Sequence, residues 1–225
     1  MSKKQIVGSM SEWSGVLKDF FRQIDDGSIG LEEVQTFLEH KNPFGLLYEW
    51  ERFYQSLFGI KTDFLKLQIP KRQKGFDRLI VVAQGMTPQR LYDKCAEMFP
   101  CWKWTNEDLD KIVQSERTAK DGVYAVWFRD TVEADGGLKN LSANDLRKKN
   151  IPGITLEERF LMELKYCKET EEHLDIMNVT LCSGSRYSGG SVPRVDWGPG
   201  GHGLGVRWCR PEGSGPRLRS RRAVL

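Results

Sequence analysis

The sequence lacks any hydrophobic run long enough to cross a lipid bilayer. A membrane-spanning helix needs about 18 or more consecutive apolar residues. The first residues, MSKKQIVGSMSEW, also lack the apolar core of a signal peptide. Both absences argue against membrane insertion and against export through a secretory pathway. We therefore expect a cytoplasmic protein with no membrane span, and leave open its display on a cell surface by another route.

Cysteine pairs and catalytic motifs are absent as well. The five cysteines form no Cys-x-x-Cys pair and are odd in number, which argues against a disulfide framework or a zinc ribbon. The three histidines, His40, His173 and His202, stand in unrelated contexts, and no phosphate-binding loop with its lysine occurs. Catalysis would need a nucleophile with a base, a metal triad or such a loop. We therefore expect no enzymatic activity, no cofactor and no metal ion.

Helical patterns occupy the first part of the chain. Large apolar residues recur at helical spacing over residues 13–24, which predicts an amphipathic helix. A second helix is predicted over residues 29–42, where Asn-Pro ends it, and a third apolar segment covers residues 46–58. These patterns predict an N-terminal helical region over residues 1–70.

From residue 76 the pattern changes to alternating strands and helices. Apolar runs with β-branched residues predict strands within residues 76–85 and 122–131. The clearest helix is predicted to begin at Thr155, where Glu158 completes a capping box. The sequence therefore predicts a domain of the α+β class over residues 76–225.

The last forty-five residues differ in composition from the rest of the chain. They contain no Lys, Asn, Gln, Met, Ile, Thr or Phe, but they hold ten of the 22 glycines. Residues 1–180 carry 26 Lys and Arg against 29 Asp and Glu, a net charge of −3. Residues 181–225 carry eight Arg against Asp196 and Glu212, a net charge of +6. The excess positive charge therefore lies at one end of the chain.

Two predicted strands of this segment alternate between large apolar residues and small or charged residues. Val195 and Trp197 in one strand, and Leu204, Val206 and Trp208 in the other, are expected to point into the core. The residues between them are expected to face solvent, where Gly and Arg replace the Thr, Lys or Glu that usually favour strand formation and solubility. This pattern predicts one face kept for folding and an opposite face without a folding role, although an ordinary solvated sheet face remains an alternative.

The region resembles the variable proteins of diversity-generating retroelements, in particular those of candidate-phyla bacteria. The resemblance rests on NVTLCSGSRYSGGSVP, on the spaced Val and Trp of VDWGPGGHGLGVRWCRP, and on the terminal LRSRRAVL. It extends upstream to ITLEERFLMELKYCKETEEHLD and covers about residues 76–225. It implies a C-type lectin-like fold with short C-terminal strands, preceded here by the N-terminal helical region, and a variable region at about residues 181–225.

The resemblance also implies which residues vary. In this family, template asparagine codons are mutated at their adenines, so that they come to encode Gly, Arg, Ser, Asp, Cys, Pro and similar residues, but not Glu. The resemblance therefore implies a protein- or ligand-recognition surface made by fourteen residues: Arg194, Asp196, Gly198, Gly200, Gly201, Gly205, Arg207, Cys209, Arg210, Gly213, Ser214, Gly215, Pro216 and Arg217. This segment has too few carboxylate and amide oxygens for calcium-dependent sugar binding, so neither ligand is expected.

A nucleic-acid interface is the alternative reading of the Arg-rich C-terminal surface. The positive charge of residues 181–225, interleaved with Tyr187, Trp197 and Trp208, could bind phosphates and stack bases. The alternation, however, predicts that both tryptophans point into the core. We therefore predict a diversified ligand-binding display protein whose partner is an unknown protein or surface ligand, and keep nucleic-acid binding as the second hypothesis.

Overall fold

A computed structural model describes residues 9–31, 34, 43–64, 67–198 and 203–225. The described residues form six α-helices and one short 3₁₀ turn at Gly136–Leu138. The helices are α1 (Met10–Asp25), α2 (Pro43–Phe58), α3 (Pro88–Met98), α4 (Leu109–Ile112), α5 (Ala143–Lys148) and α6 (Leu156–Thr170). The nine strands are β1 (Arg78–Val82), β2 (Cys101–Lys103), β3 (Val113–Ser115), β4 (Tyr124–Phe128), β5 (Val179–Leu181), β6 (Ser185–Tyr187), β7 (Val192–Trp197), β8 (Leu204–Cys209) and β9 (Leu218–Arg219). The predicted α+β class is confirmed.

The chain divides into two compact units, residues 1–49 and residues 50–225. In the first unit, Ser9 caps the start of α1 and forms a capping box with Glu12. The apolar residues Val16, Leu17 and Phe21 of this helix are exposed. This helix is the one predicted over residues 13–24. The second predicted helix, over residues 29–42, lies mostly outside the described residues.

The second unit begins inside α2, earlier than the boundary near residue 70 that the sequence pattern suggested. Trp50 and Tyr54 of this helix are fully buried. Trp50 Nε1 donates to the Leu79 carbonyl at 3.2 Å, and the Tyr54 hydroxyl donates to the Val81 carbonyl at 2.7 Å. Because these bonds attach the second half of α2 to β1, that half belongs with the α+β unit.

The strands form three sheets. Strand β1 pairs with β4, and β3 pairs with β6, both antiparallel. The largest sheet has five strands in the order β2-β8-β7-β5-β9. Within it, β7 is antiparallel to both β8 and β5, whereas the outer strands β2 and β9 run parallel to their neighbours. The two long central strands of this sheet are the two strands predicted to carry displayed residues.

Helix α6 is buried along most of its length and begins with the predicted capping box. The Thr155 hydroxyl accepts from the Glu158 amide at 3.2 Å, and the Glu158 carboxylate accepts from the Thr155 amide at 2.7 Å. The same carboxylate pairs with Arg117 at 2.7 Å. Burial lowers the pKa of Arg117, but the interactions with Glu158, Tyr124 and Glu116 together raise it above its ordinary value, so that this arginine stays protonated.

Buried ion pairs connect α6 to the C-terminal segment. Asp175 accepts from Arg159 Nε at 3.0 Å and from Arg221 Nη2 at 2.8 Å, and Glu163 accepts from Arg159 Nη1 at 2.7 Å. All four side chains are almost completely excluded from solvent. Thr180 of β5 also donates to Asp175 at 2.5 Å. Such a network gains stability only while every charge keeps its partner. It attaches the segment after β9, through Arg221, to α6.

Candidate functional site

Four of the predicted display residues lie side by side on one face of the five-stranded sheet. Arg194 is opposite Arg207, and Asp196 is opposite Gly205, in the antiparallel register of β7 and β8. Alternation along each strand places all four on the same face. Trp102 of the edge strand β2 is aligned with Gly205 and is 53% exposed. We call these five residues the sheet patch.

An arginine stacked on an exposed tryptophan forms the most exposed part of the sheet patch. The Arg207 guanidinium lies 5.4 Å from the centre of the Trp102 ring, within the range of a cation–π contact. This contact orients a planar cation and an aromatic surface toward solvent. The sequence pattern did not identify Trp102, because β2 has only three residues and is too short to show alternation.

The expected exposure of Asp196 and Gly205 is wrong. Asp196 is only 4% exposed, and Gly205 is buried as well. The reason is that Arg207 folds back over this part of the sheet: its Nε and Nη2 lie 3.5 Å from the position that a β-carbon of Gly205 would occupy. Asp196 Oδ1 lies 3.6 Å from the same position and has no hydrogen-bond partner among the described residues. Within the described part of the chain, the patch therefore contains a buried acceptor without a donor.

The apolar face of the two strands is mostly as predicted, with one correction. Val195, Trp197, Leu204 and Val206 are buried, but Trp208 is 47% exposed and does not belong to the core. Strand β2 covers β8 only as far as Val206. Trp208 lies beyond that point, where none of the described strands pairs with β8 on this side, and its ring is open to solvent.

One end of the patch face is covered by the protein itself. Val192, Leu181 and Leu218 form a small hydrophobic cluster with Ala143 of α5, and Cys209 packs against this cluster. Burial raises the pKa of the Cys209 thiol above its ordinary value. The predicted display residue Cys209 therefore lies at the border between core and surface, as a protonated thiol at neutral pH.

The turn that follows β8 carries the next group of predicted residues. Arg210, Ser214 and Pro216 are exposed, whereas Gly213 and Gly215 are half-buried. Gly213 donates to the Arg210 carbonyl at 2.8 Å, and a β-carbon there would lie 2.6 Å from Cys209 Sγ. A side chain at Gly213 would therefore need local rearrangement, which the open surroundings of Gly215 do not require. Gly200 and Gly201 lie outside the described residues.

The remaining predicted residues, Gly198 and Arg217, line a separate groove together with Pro216. The groove has a volume of about 1060 Å³, and its floor includes Trp197 and His173. Trp197 alternates with Asp196 along β7 and so lies on the opposite face of the sheet from the sheet patch. The predicted display residues are therefore divided between two surfaces and do not form a single continuous one.

The described residues contain neither a metal-binding cluster nor a membrane-spanning helix. Within the part of the chain that the structure describes, no group of three His, Cys, Asp or Glu side chains could hold a metal ion. None of the described helices has both the length and the apolar character needed to cross a membrane. Comparison of the chain with protein-family models, curated proteins and solved structures found no match.

Proposed function

We propose that the protein is a ligand-binding display protein diversified by a retroelement, and that it acts by binding and not by catalysis. The observation that carries this proposal is the sheet patch. Arg194, Gly205 and Arg207 share one face of two neighbouring strands, while Val195 and Val206 fill the core from the other face. Folding and recognition are thereby assigned to alternate residues of the same strands.

The chemistry of the sheet patch suits non-covalent recognition. Arg207 and Arg194 supply positive charge and planar groups for stacking, and arginine and tryptophan are the residues that most often dominate binding interfaces. Trp102 adds an aromatic surface of fixed position beside Arg207.

The fold supports the same proposal. The C-type lectin-like fold that the resemblance implies ends in short strands, and five of the nine strands described here lie within or overlap residues 179–219. We propose this fold for the α+β unit. Several residues of the proposed variable region, including Leu181, Val192 and Arg221, are buried, so that only part of the region is available for variation.

The DNA around the gene tests this proposal. We expect a nearby reverse transcriptase gene and a repeat of the segment encoding residues 181–225 that differs from it at adenines. Copies of the gene from related cells should differ at Arg194, Gly205 and Arg207 and agree at Val195 and Val206. A complete locus that lacks both the reverse transcriptase and the repeat contradicts the proposal, as do differences that fall equally on both sets of positions.

Nucleic-acid binding is the second candidate, and the exposed tryptophans favour it. Trp102 and Trp208 are both open to solvent, and Trp102 lies under Arg207, so bases could stack there beside a phosphate-binding group. A fluorescein-labelled oligothymidine titrated at low and at physiological salt distinguishes the candidates. A display protein should show only weak binding that salt abolishes. Nanomolar binding that persists at physiological salt, with a steep salt dependence, would favour the nucleic-acid function instead.

A further inference from the structure

The floor of the groove beside β7 is an aromatic stack held in a fixed position. The Trp197 ring lies parallel to the His173 ring, with an interplanar angle of 9° and ring centres 3.3 Å apart. Phe99 contacts Trp197 edge-on at 5.7 Å. His173 Nδ1 is bonded to the buried Glu163 carboxylate at 2.9 Å, which ties the stack to α6. The groove therefore has an aromatic lining whose position is fixed by contacts within the protein.

One wall of the groove exposes apolar side chains on a constrained backbone. Met177 is 69% exposed, and its neighbour Ile176 is exposed as well. The Glu133 carboxylate accepts from the Met177 amide at 2.8 Å, from the Asn178 amide at 2.9 Å and from Asn178 Nδ2 at 2.8 Å. Because the backbone is held by these bonds, Met177 and Ile176 remain in contact with water at a fixed position, which is typical of a contact surface.

Two arginines with unused donors also line the groove. Arg217 Nε donates to the Met177 carbonyl at 2.8 Å, which positions its guanidinium at the edge of the groove. Arg219 is half-buried and lines the groove, and its buried Nε has no hydrogen-bond partner among the described residues. In the described part of the chain neither guanidinium forms an ion pair with a carboxylate. The planar donors of a guanidinium group match the two oxygens of a carboxylate.

We propose that this groove binds an acidic peptide. A carboxylate side chain of the peptide is held by Arg217 and Arg219, and an adjacent large apolar side chain contacts Trp197 and Met177. The inference rests on the proposed function, because Arg217 belongs to the predicted display residues; it adds that residues outside that set supply most of the groove.

The shape and charge of the groove favour a peptide over a nucleic acid. Its volume of about 1060 Å³ lies slightly above the range for small-molecule pockets, about 300–1,000 Å³, and leaves room for a short segment of chain. One face of Trp197 is already occupied by His173, so successive bases have no stacking platform. Glu172 also lines the groove, and its negative charge would repel a run of phosphates. A single carboxylate can bind at a distance from Glu172.

Selection from a random peptide library tests the proposal. The full chain is panned against phage-displayed random dodecapeptides, and labelled copies of the enriched peptides are titrated by fluorescence polarisation. We expect enriched peptides to carry Asp or Glu next to a large apolar residue. The double variant Arg217→Gln, Arg219→Gln should weaken their binding by about tenfold or more, because charged donors are lost. Arg222→Gln removes the same charge from an exposed position outside the groove and should change binding by less than about twofold.

The possible results separate this inference from the proposed function. Enrichment without acidic residues, no enrichment at all, or binding that survives the groove substitutions overturns the groove proposal. Binding lost on Arg194→Gln, Arg207→Gln and retained by the groove variant would also overturn it, while supporting recognition by the sheet patch. Displacement of the peptides by an oligonucleotide at equal concentration would favour a nucleic-acid ligand. Because Arg217 is exposed, Arg217→Gln alone provides a variant that folds if the double variant does not.

Discussion

At the scale of single residues, Glu157 in the first turn of α6 is a buried carboxyl group whose protonation affects folding. It is almost fully buried beside a cavity of about 300 Å³, and the Ser115 hydroxyl donates to it at 2.6 Å. Burial raises the pKa of Glu157 to about 7 from an ordinary value of 4.5. The folded protein therefore binds a proton that the unfolded chain releases between those two values, so this contribution to stability is lost as the pH rises toward 7.

We predict that Glu157→Gln reduces this dependence on pH. Relative to the native protein, the free energy of unfolding of the variant should increase by about 2 kcal/mol between about pH 5 and about pH 8, because the ionised form is no longer buried. Urea unfolding at the two pH values measures the difference. The variant Ser115→Ala should have the opposite effect, since the Ser115 hydroxyl lowers the pKa of Glu157. An equal pH dependence in all three proteins would contradict the assignment.

The buried ion pairs around Asp175 depend on one carboxylate that two arginines share. Asp175→Asn keeps a side chain that tolerates the left-handed backbone conformation at this position, where φ is 57°. It removes the charge that Arg159 and Arg221 share. We expect a loss of about 3–5 kcal/mol, as for other buried pairs that lose one partner. Thermal unfolding measures this loss, and a change below about 1 kcal/mol would show that the network is not a determinant of stability.

Residue exposure was only partly predictable from the sequence. Alternation correctly identified Val195 and Val206 as core residues, because strand periodicity is a local property. It failed for Trp208 and Asp196, whose exposure depends on where β2 ends and on how Arg207 folds back. Both are long-range effects that no local pattern encodes.

At the scale of elements, two glycines near the start of β8 have opposite roles. Gly203 has φ of 118°, and a β-carbon there would lie 2.2 Å from the Pro100 carbonyl oxygen. Gly205, two residues later, would place a β-carbon at ordinary contact distances of 3.5 Å or more. The first glycine is therefore required by the backbone, whereas the second leaves room for a small side chain beneath Arg207.

We predict that Gly203→Ala and Gly205→Ser differ strongly in stability. Gly203→Ala combines backbone strain with a steric clash and should cost about 3 kcal/mol or more. Gly205→Ser should stay within about 1 kcal/mol of the native protein. Chemical denaturation of the two variants provides the measurement. Similar losses in both would contradict the assignment of Gly205 to the displayed face.

The sequence predicted the helices and strands that have strong local patterns, but it did not predict how the strands pair. The capping box at Thr155 and the strands within residues 76–85 and 122–131 correspond to the start of α6 and to β1 and β4. The parallel pairing of β2 with β8 joins segments about a hundred residues apart. Such registers depend on the packed core, so the position of Trp102 in the sheet patch could not be derived from the sequence.

At the scale of the whole molecule, the unit boundary predicts how the chain tolerates truncation. Removing residues 1–42 leaves Trp50, Tyr54 and their bonds to β1 in place. Removing residues 1–70 deletes both, together with the buried Phe64. We expect the shorter deletion to preserve cooperative thermal unfolding of the α+β unit, and the longer one to lower its midpoint by about 10 °C or more or to prevent folding. Equal behaviour of the two proteins would place the boundary elsewhere.

In the proposed function, alternate residues of β7 and β8 serve folding and recognition separately. Saturation substitution at Arg194, Gly205 and Arg207, and at Val195 and Val206, tests it when resistance to proteolysis is measured for every variant. We expect most substitutions at Arg194, Gly205 and Arg207 to leave folding intact, and polar substitutions at Val195 and Val206 to abolish it. Equal intolerance at both sets of positions would contradict the account.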